Sequence, residues 1–170
     1  MHECPFAGAC GYLKRPPEAL VVNGFRLWVA GYQTGDIEHW SEAWTLFSEK
    51  FGHGPARHSV TQLAHWVRSV FLWRTDPIQC FSSGCPHICR DECLAVAMIA
   101  ACQHRDGSCL DYCLERFCGF ADHREPLEAA LGFASALESH GQRLMSVPCE
   151  VVRGLIEPPE SEPQIARTYH

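Results

Sequence analysis

Residues 85–118 read CPHICRDECLAVAMIAACQHRDGSCLDYCLERFC, and this stretch decides the fold. From Cys93 to Cys102 the chain is apolar nearly all round, which marks a helix at the centre of a bundle. Cys85-Pro86 is read as its opening, with proline at the first helical position, where a missing N–H costs nothing. Arg105-Asp106-Gly107 makes a tight turn, and Ser108 is expected to cap a further helix running to about Cys118. So short a turn packs the two helices as a central antiparallel hairpin.

Outward from the hairpin the amphipathic pattern stays helical. After Pro16-Pro17, the residues Val21, Phe25, Trp28, Val29 and Tyr32 recur at helical spacing until Gly35. Asp36 is placed as the N-cap of a second helix with the stripe Ile37, Trp40, Trp44, Phe47 and Phe51, broken by Gly52, Gly54 and Pro55. A third helix is expected from near Ser59 and stops before Asp76-Pro77. A sixth follows Pro126 and ends at Gly141, and a short last one follows Pro148. Arg143 to Val147 is the single arguable strand. The expectation is an all-α, single-domain helical bundle of six or seven helices over residues 1–170. Residues 1–16 form a Cys-containing leader and 158–170 a loose tail rich in Pro and Glu.

Composition bounds the function. A net charge of −6 and a pI near 5.9 argue against nucleic acid as a partner, because phosphate binding needs clustered cations. The longest apolar stretch, Leu94 to Cys102, is too short to span a bilayer, and the N-terminus lacks the basic-then-apolar form of a signal peptide. A cytoplasmic protein is expected, where thiols stay reduced and a disulfide framework is disfavoured.

Eleven cysteines in 170 residues need a physical reason, and eight of them fall between Cys80 and Cys118. Cys80-Phe-Ser-Ser-Gly-Cys85 is a loop whose glycine allows a tight knuckle around an ion. Cys85 and Cys89, read at a helix start, gain thiolate character from unpaired N–H groups and the helix dipole. A loop pair followed by a helix-borne pair closes a tetrahedron of sulfur, as structural zinc sites do. The expected ligands are Cys80, Cys85 and Cys89, with Cys93 or Cys118 as the fourth and His87 as an outside candidate. The expected function is therefore a metal-binding protein, with structural zinc and no evident catalysis.

An iron–sulfur cluster or Cu(I) would use the same thiolates, so both remain alternatives. A different class is a thiol-redox enzyme or sensor built on Cys85, with His87 or His123 nearby. The third class is an interaction or regulatory module whose cysteines fill the core, the reading favoured for Cys102, Cys109 and Cys113. Cys4 and Cys10 form a second pair that folds back on the Cys80/Cys85 loop or stays free, and Cys149 looks solitary. Trp40, Trp44, Trp66 and Trp73 are assigned to the core; any share left exposed marks a homodimer or partner surface.

Overall fold

The computed structural model describes residues 7–119 and 122–157. A 3₁₀ helix, Ala7–Lys14, leads into α1 (Pro16–Thr34), α2 (Glu38–Phe51), α3 (His53–Trp73), α4 (Arg90–His104), α5 (Gly107–Cys118), α6 (Arg124–Glu138) and α7 (Cys149–Ile156). The fold is all-α, and Arg143 to Val147 runs as irregular chain rather than strand. Cys4 and the tail from residue 158 lie outside the described residues, as does the side chain of Cys10.

The α4–α5 hairpin forms as expected, and α4 is buried along almost its whole circumference, from Asp91 to Gln103. It packs against α1, α5, α6 and α7, while α3 lies along α6 and α2 bridges α1 and α3. Trp66 is the largest buried side chain. Its ring stacks on Phe133 of α6 (centroids 5.4 Å apart) and meets Phe25 of α1 (5.4 Å), and its indole N–H reaches the Met98 sulfur of α4 at 3.4 Å. One indole thus joins four helices, using the offset and tilted ring geometry that aromatic quadrupoles favour. Of the other tryptophans, Trp40 and Trp44 are half-buried, and Trp73 stays 36% exposed with its N–H toward Glu125.

Several boundaries differ from the expectation, each for a local reason. The break between α2 and α3 needs only Gly52, whose φ of 82° is open to glycine, so α3 starts at His53 rather than near Ser59. Pro55 then falls in the first turn, where its missing N–H has no helical partner in any case. Asp106, not Ser108, caps α5 by accepting from the Cys109 N–H at 3.0 Å. The largest correction is at α4, which begins at Arg90 and leaves Cys85-Pro86 in an irregular segment.

α1 and α2 approach closely at Gly31, where the Trp40 ring occupies the space a Cβ would take. Trp40 in turn stacks on Trp28 at 5.7 Å and donates to the Trp28 carbonyl at 3.3 Å. Gly31→Ala should therefore expel the indole and lower stability by about 1–3 kcal/mol. Urea denaturation followed by tryptophan fluorescence checks it, since both the midpoint and the native emission would shift.

Candidate thiol centre

The segment between α3 and α4 stays non-helical because α1 takes its carbonyls. Arg26, 2% exposed, donates from Nε to Glu92 Oε1 at 2.6 Å and from Nη2 to Oε2 at 3.2 Å. Its Nη1 donates to the Cys85 carbonyl at 2.8 Å, and Nη2 also reaches the His87 carbonyl. Glu92 accepts from the Phe81 N–H at 2.9 Å and the Cys89 N–H at 2.8 Å. Asp91 accepts from the Gln79 N–H and from Arg74 Nη2, both at 2.9 Å. Asn23 holds Gly84 N–H and Gln33 holds the Ile78 carbonyl, at 2.9 and 2.8 Å. The two carboxylates also sit in the first turn of α4, where the helix dipole favours negative charge.

This network surrounds the loop that carries Cys80, Cys85 and Cys89, three of the five expected ligands. Cys80 and Cys89 become electrostatic neighbours in the loop, and Cys89 Sγ donates to the Gln79 carbonyl at 3.1 Å, as a thiol rather than a thiolate. Burial, followed by the Glu92 charge, pushes Cys80 well above its ordinary range, and burial holds Cys89 up at about 12. Cys85 is half-buried and contributes its carbonyl, not its sulfur, to the Arg26 network. Cys93 lies inside the bundle, raised to about 11 by burial and then by Cys109, its neighbour across the hairpin. Cys118 is 5% exposed and raised to about 11 by burial, with Arg74 as the opposing charge. His87 lies against the Phe81 ring at 6.3 Å. Among the described residues no three His, Cys, Asp or Glu side chains form a group that could hold a metal ion.

A different set of thiols interacts electrostatically. Cys109 and Cys113, one turn apart on α5, join Cys149 at the first position of α7, with Arg153 one turn further on. Cys113 and Cys109 are 0% and 2% exposed, whereas Cys149 is half-buried. Hydrogen bonding from the Cys113 thiol lowers Cys109 to about 7 from the ordinary 9.0, against the opposing effect of burial. The Cys149 thiol and the Arg153 charge lower it further, while Asp106 works the other way. Cys113 is held far up as the donor of that bond, and burial raises Cys149. Arg153 also lies over the Tyr112 ring, 4.4 Å from its centroid, which fixes the guanidinium beside the thiols.

The sequence pattern places Cys109 and Cys113 in the core and leaves Cys149 solitary. The spacing of Cys109 and Cys113 is visible in the sequence, but the arrival of Cys149 depends on how the chain returns after α6. Comparison of the chain with models of protein families, with curated proteins and with solved structures gave no match.

Folding favours the Cys109 thiolate, so this group's contribution to stability is complete above the ordinary thiol range near 9.0 and is lost as pH falls through about 7. Thiolate absorbance in the native protein should show one thiol titrating with a midpoint of about 7, moving up toward 9.0 in Cys113→Ala. A midpoint unchanged by that substitution would show that the Cys113 hydrogen bond is not its cause.

Proposed function

We propose that the protein is a thiol-based redox protein, a sensor or enzyme in which Cys109 is oxidised by a hydroperoxide and then closes onto Cys149. The observation that carries this reading is the interaction of Cys109 with Cys113, one turn on along α5, and with Cys149 at the first position of α7. A thiolate is the nucleophile in such chemistry, and a neutral-pH thiolate beside a second thiol meets its two requirements.

In the first step Cys109 Sγ attacks the distal peroxide oxygen. The O–O bond breaks, an S–O bond forms, and the alkoxide leaves as alcohol after taking a proton from solvent. Cys149 Sγ then attacks the sulfenic sulfur, forming the S–S bond and releasing water. Two thiols have together given up two electrons to the peroxide. A low-molecular-weight thiol reverses the change, its own oxidation to a disulfide balancing the electrons.

Cys109 is buried, and its neighbours Cys149 and Arg153 belong to α7. That helix has eight residues and buries only Val152 and Ile156, so it is among the elements most easily lifted from the core. Cys80, Cys89, Cys93, Cys102 and Cys118, each held protonated by burial, react more slowly and act as structure.

The zinc proposal at Cys80, Cys85 and Cys89 keeps one supporting observation, the neighbourhood of Cys80 and Cys89 across the loop. Peptide mass spectrometry after one equivalent of hydrogen peroxide separates the two. The expected product is a Cys109–Cys149 disulfide, replaced in Cys149→Ser by a sulfenic acid at Cys109 that dimedone traps. First oxidation at Cys85 would overturn the proposal. So would stoichiometric zinc, copper, or iron with sulfide in protein purified without chelator, if Cys109→Ser abolished it.

A further inference from the structure

Arg153 links α7 to α5 across an aromatic ring. Its guanidinium lies over Tyr112, 4.4 Å from the ring centroid. Tyr112 is 5% exposed, so the core fixes the face on which the cation rests. Tyr112 stands about one turn after Cys109 on α5, and Arg153 one turn after Cys149 on α7. Residues at that spacing share a helix face, so this contact holds the guanidinium beside the turn that carries each thiol. Arg153 interacts with both, through a side-chain hydrogen bond with Cys149 and through its charge with Cys109.

The charge of Arg153 is not committed to a carboxylate. Arg116, 5.7 Å from the centroid of the same ring, is paired with Glu157, and Arg26, Arg74 and Arg143 are paired with Glu92, Asp91 and Glu138. Among the described residues Arg153 has no such ion pair, and the groups that act on it are Cys149, Tyr112 and Cys109. Stacking engages the flat face of a guanidinium and leaves the N–H donors at its edge. Arg153 is exposed, so donors beyond the one used with Cys149 are open to an incoming molecule. Asp106, the other charged group acting on Cys109, has the opposite sign.

A hydroperoxide is neutral when it arrives and gains charge at its leaving oxygen only as the O–O bond breaks. A cation at that oxygen therefore stabilises the transition state far more than the bound substrate. From the placement of Arg153, and resting on the redox reading of Cys109, we infer that Arg153 is a catalytic residue that donates to the leaving oxygen while Cys109 Sγ attacks the distal one. The S–O bond forms and the O–O bond breaks, with its electron pair passing to the leaving oxygen. Arg153 keeps its protons throughout, and solvent supplies the proton that completes the alcohol or water. The leaving group is a strong base, so a charge-assisted hydrogen bond has its largest effect there.

Quenched-flow mass spectrometry tests it by following modification of Cys109 with hydrogen peroxide and, separately, with iodoacetamide. Rates are compared on the plateau at high pH, where Cys109 is thiolate in every variant, so an effect on its titration alone drops out. Arg153→Gln is expected to lower the peroxide plateau by roughly tenfold to a hundredfold, the lower part of the range for one oxyanion donor because this one is open to water. The iodoacetamide plateau should change by less than about threefold, since iodide is a weak base that leaves without a donor. Arg153→Lys keeps the charge without the planar fork and should recover part of the peroxide rate. Arg116→Gln should leave both plateaus unchanged. Equal losses with the two reagents, an unchanged peroxide plateau in Arg153→Gln, or the same loss in Arg116→Gln would overturn the role of Arg153 and leave the redox reading intact. Peroxide oxidation of the wild-type protein at thiols other than Cys109 would overturn both.

Discussion

The buried pair between Arg26 and Glu92 is the contact on which the rest of the arrangement depends. It joins the middle of α1 to the first turn of α4 through two hydrogen bonds, with both side chains at or below 1% exposure. Removing two charges from water is costly, and an ion pair recovers that cost only when its remaining hydrogen-bonding capacity is also met. Here it is met by the loop: Cys85 and His87 supply carbonyls to the guanidinium, and Phe81 and Cys89 supply N–H groups to the carboxylate. The loop is therefore ordered as the solvation shell of a buried charge pair, which is why a stretch able to start a helix stays irregular.

The same pair explains why two helix starts treat their cysteines in opposite ways. Cys89 and Cys109 both stand at the beginning of a helix, where the dipole favours thiolate. Cys89, however, is raised to about 12 by burial, with the Glu92 charge acting in the same direction. Cys109 faces two thiols able to donate and an arginine, and it falls to about 7. A helix dipole falls off within its first turn and acts as a fraction of a charge, so the neighbouring side chains decide the outcome.

α7 has a double position in the molecule. Its first residue, Cys149, completes the thiol group, while Val151, Val152 and Leu155 wall an apolar cleft beside the 3₁₀ helix. Cys93 lies between the two, lining the cleft on one side and interacting with Cys109 on the other. Movement of this short helix would change the surroundings of the thiols and the cleft together, because both are closed by the same eight residues.

Apolar periodicity and turn residues are local signals, and they determined the all-helical class, the central hairpin and the core stripe of α1; the α2 stripe is followed only in part, since Ile37 is 65% exposed while Phe47 is buried. Val21, Phe25 and Val29 are buried on α1 where the pattern places them, and Gly35 ends that helix in the left-handed conformation. The tertiary structure alone decided the start of α4 and the grouping of the cysteines. Arg26 and Glu92 are far apart in the chain, and nothing local to Cys85-Pro86 announces that its carbonyl will be taken by a guanidinium from α1. In the same way, Cys149 reaches Cys109 only after the chain has traversed α6 and returned, so its partner is a property of the packing. Hydrogen bonds and charges act through space, and spacing along the chain reports them only where one helix carries both partners, as it does for Cys109 and Cys113.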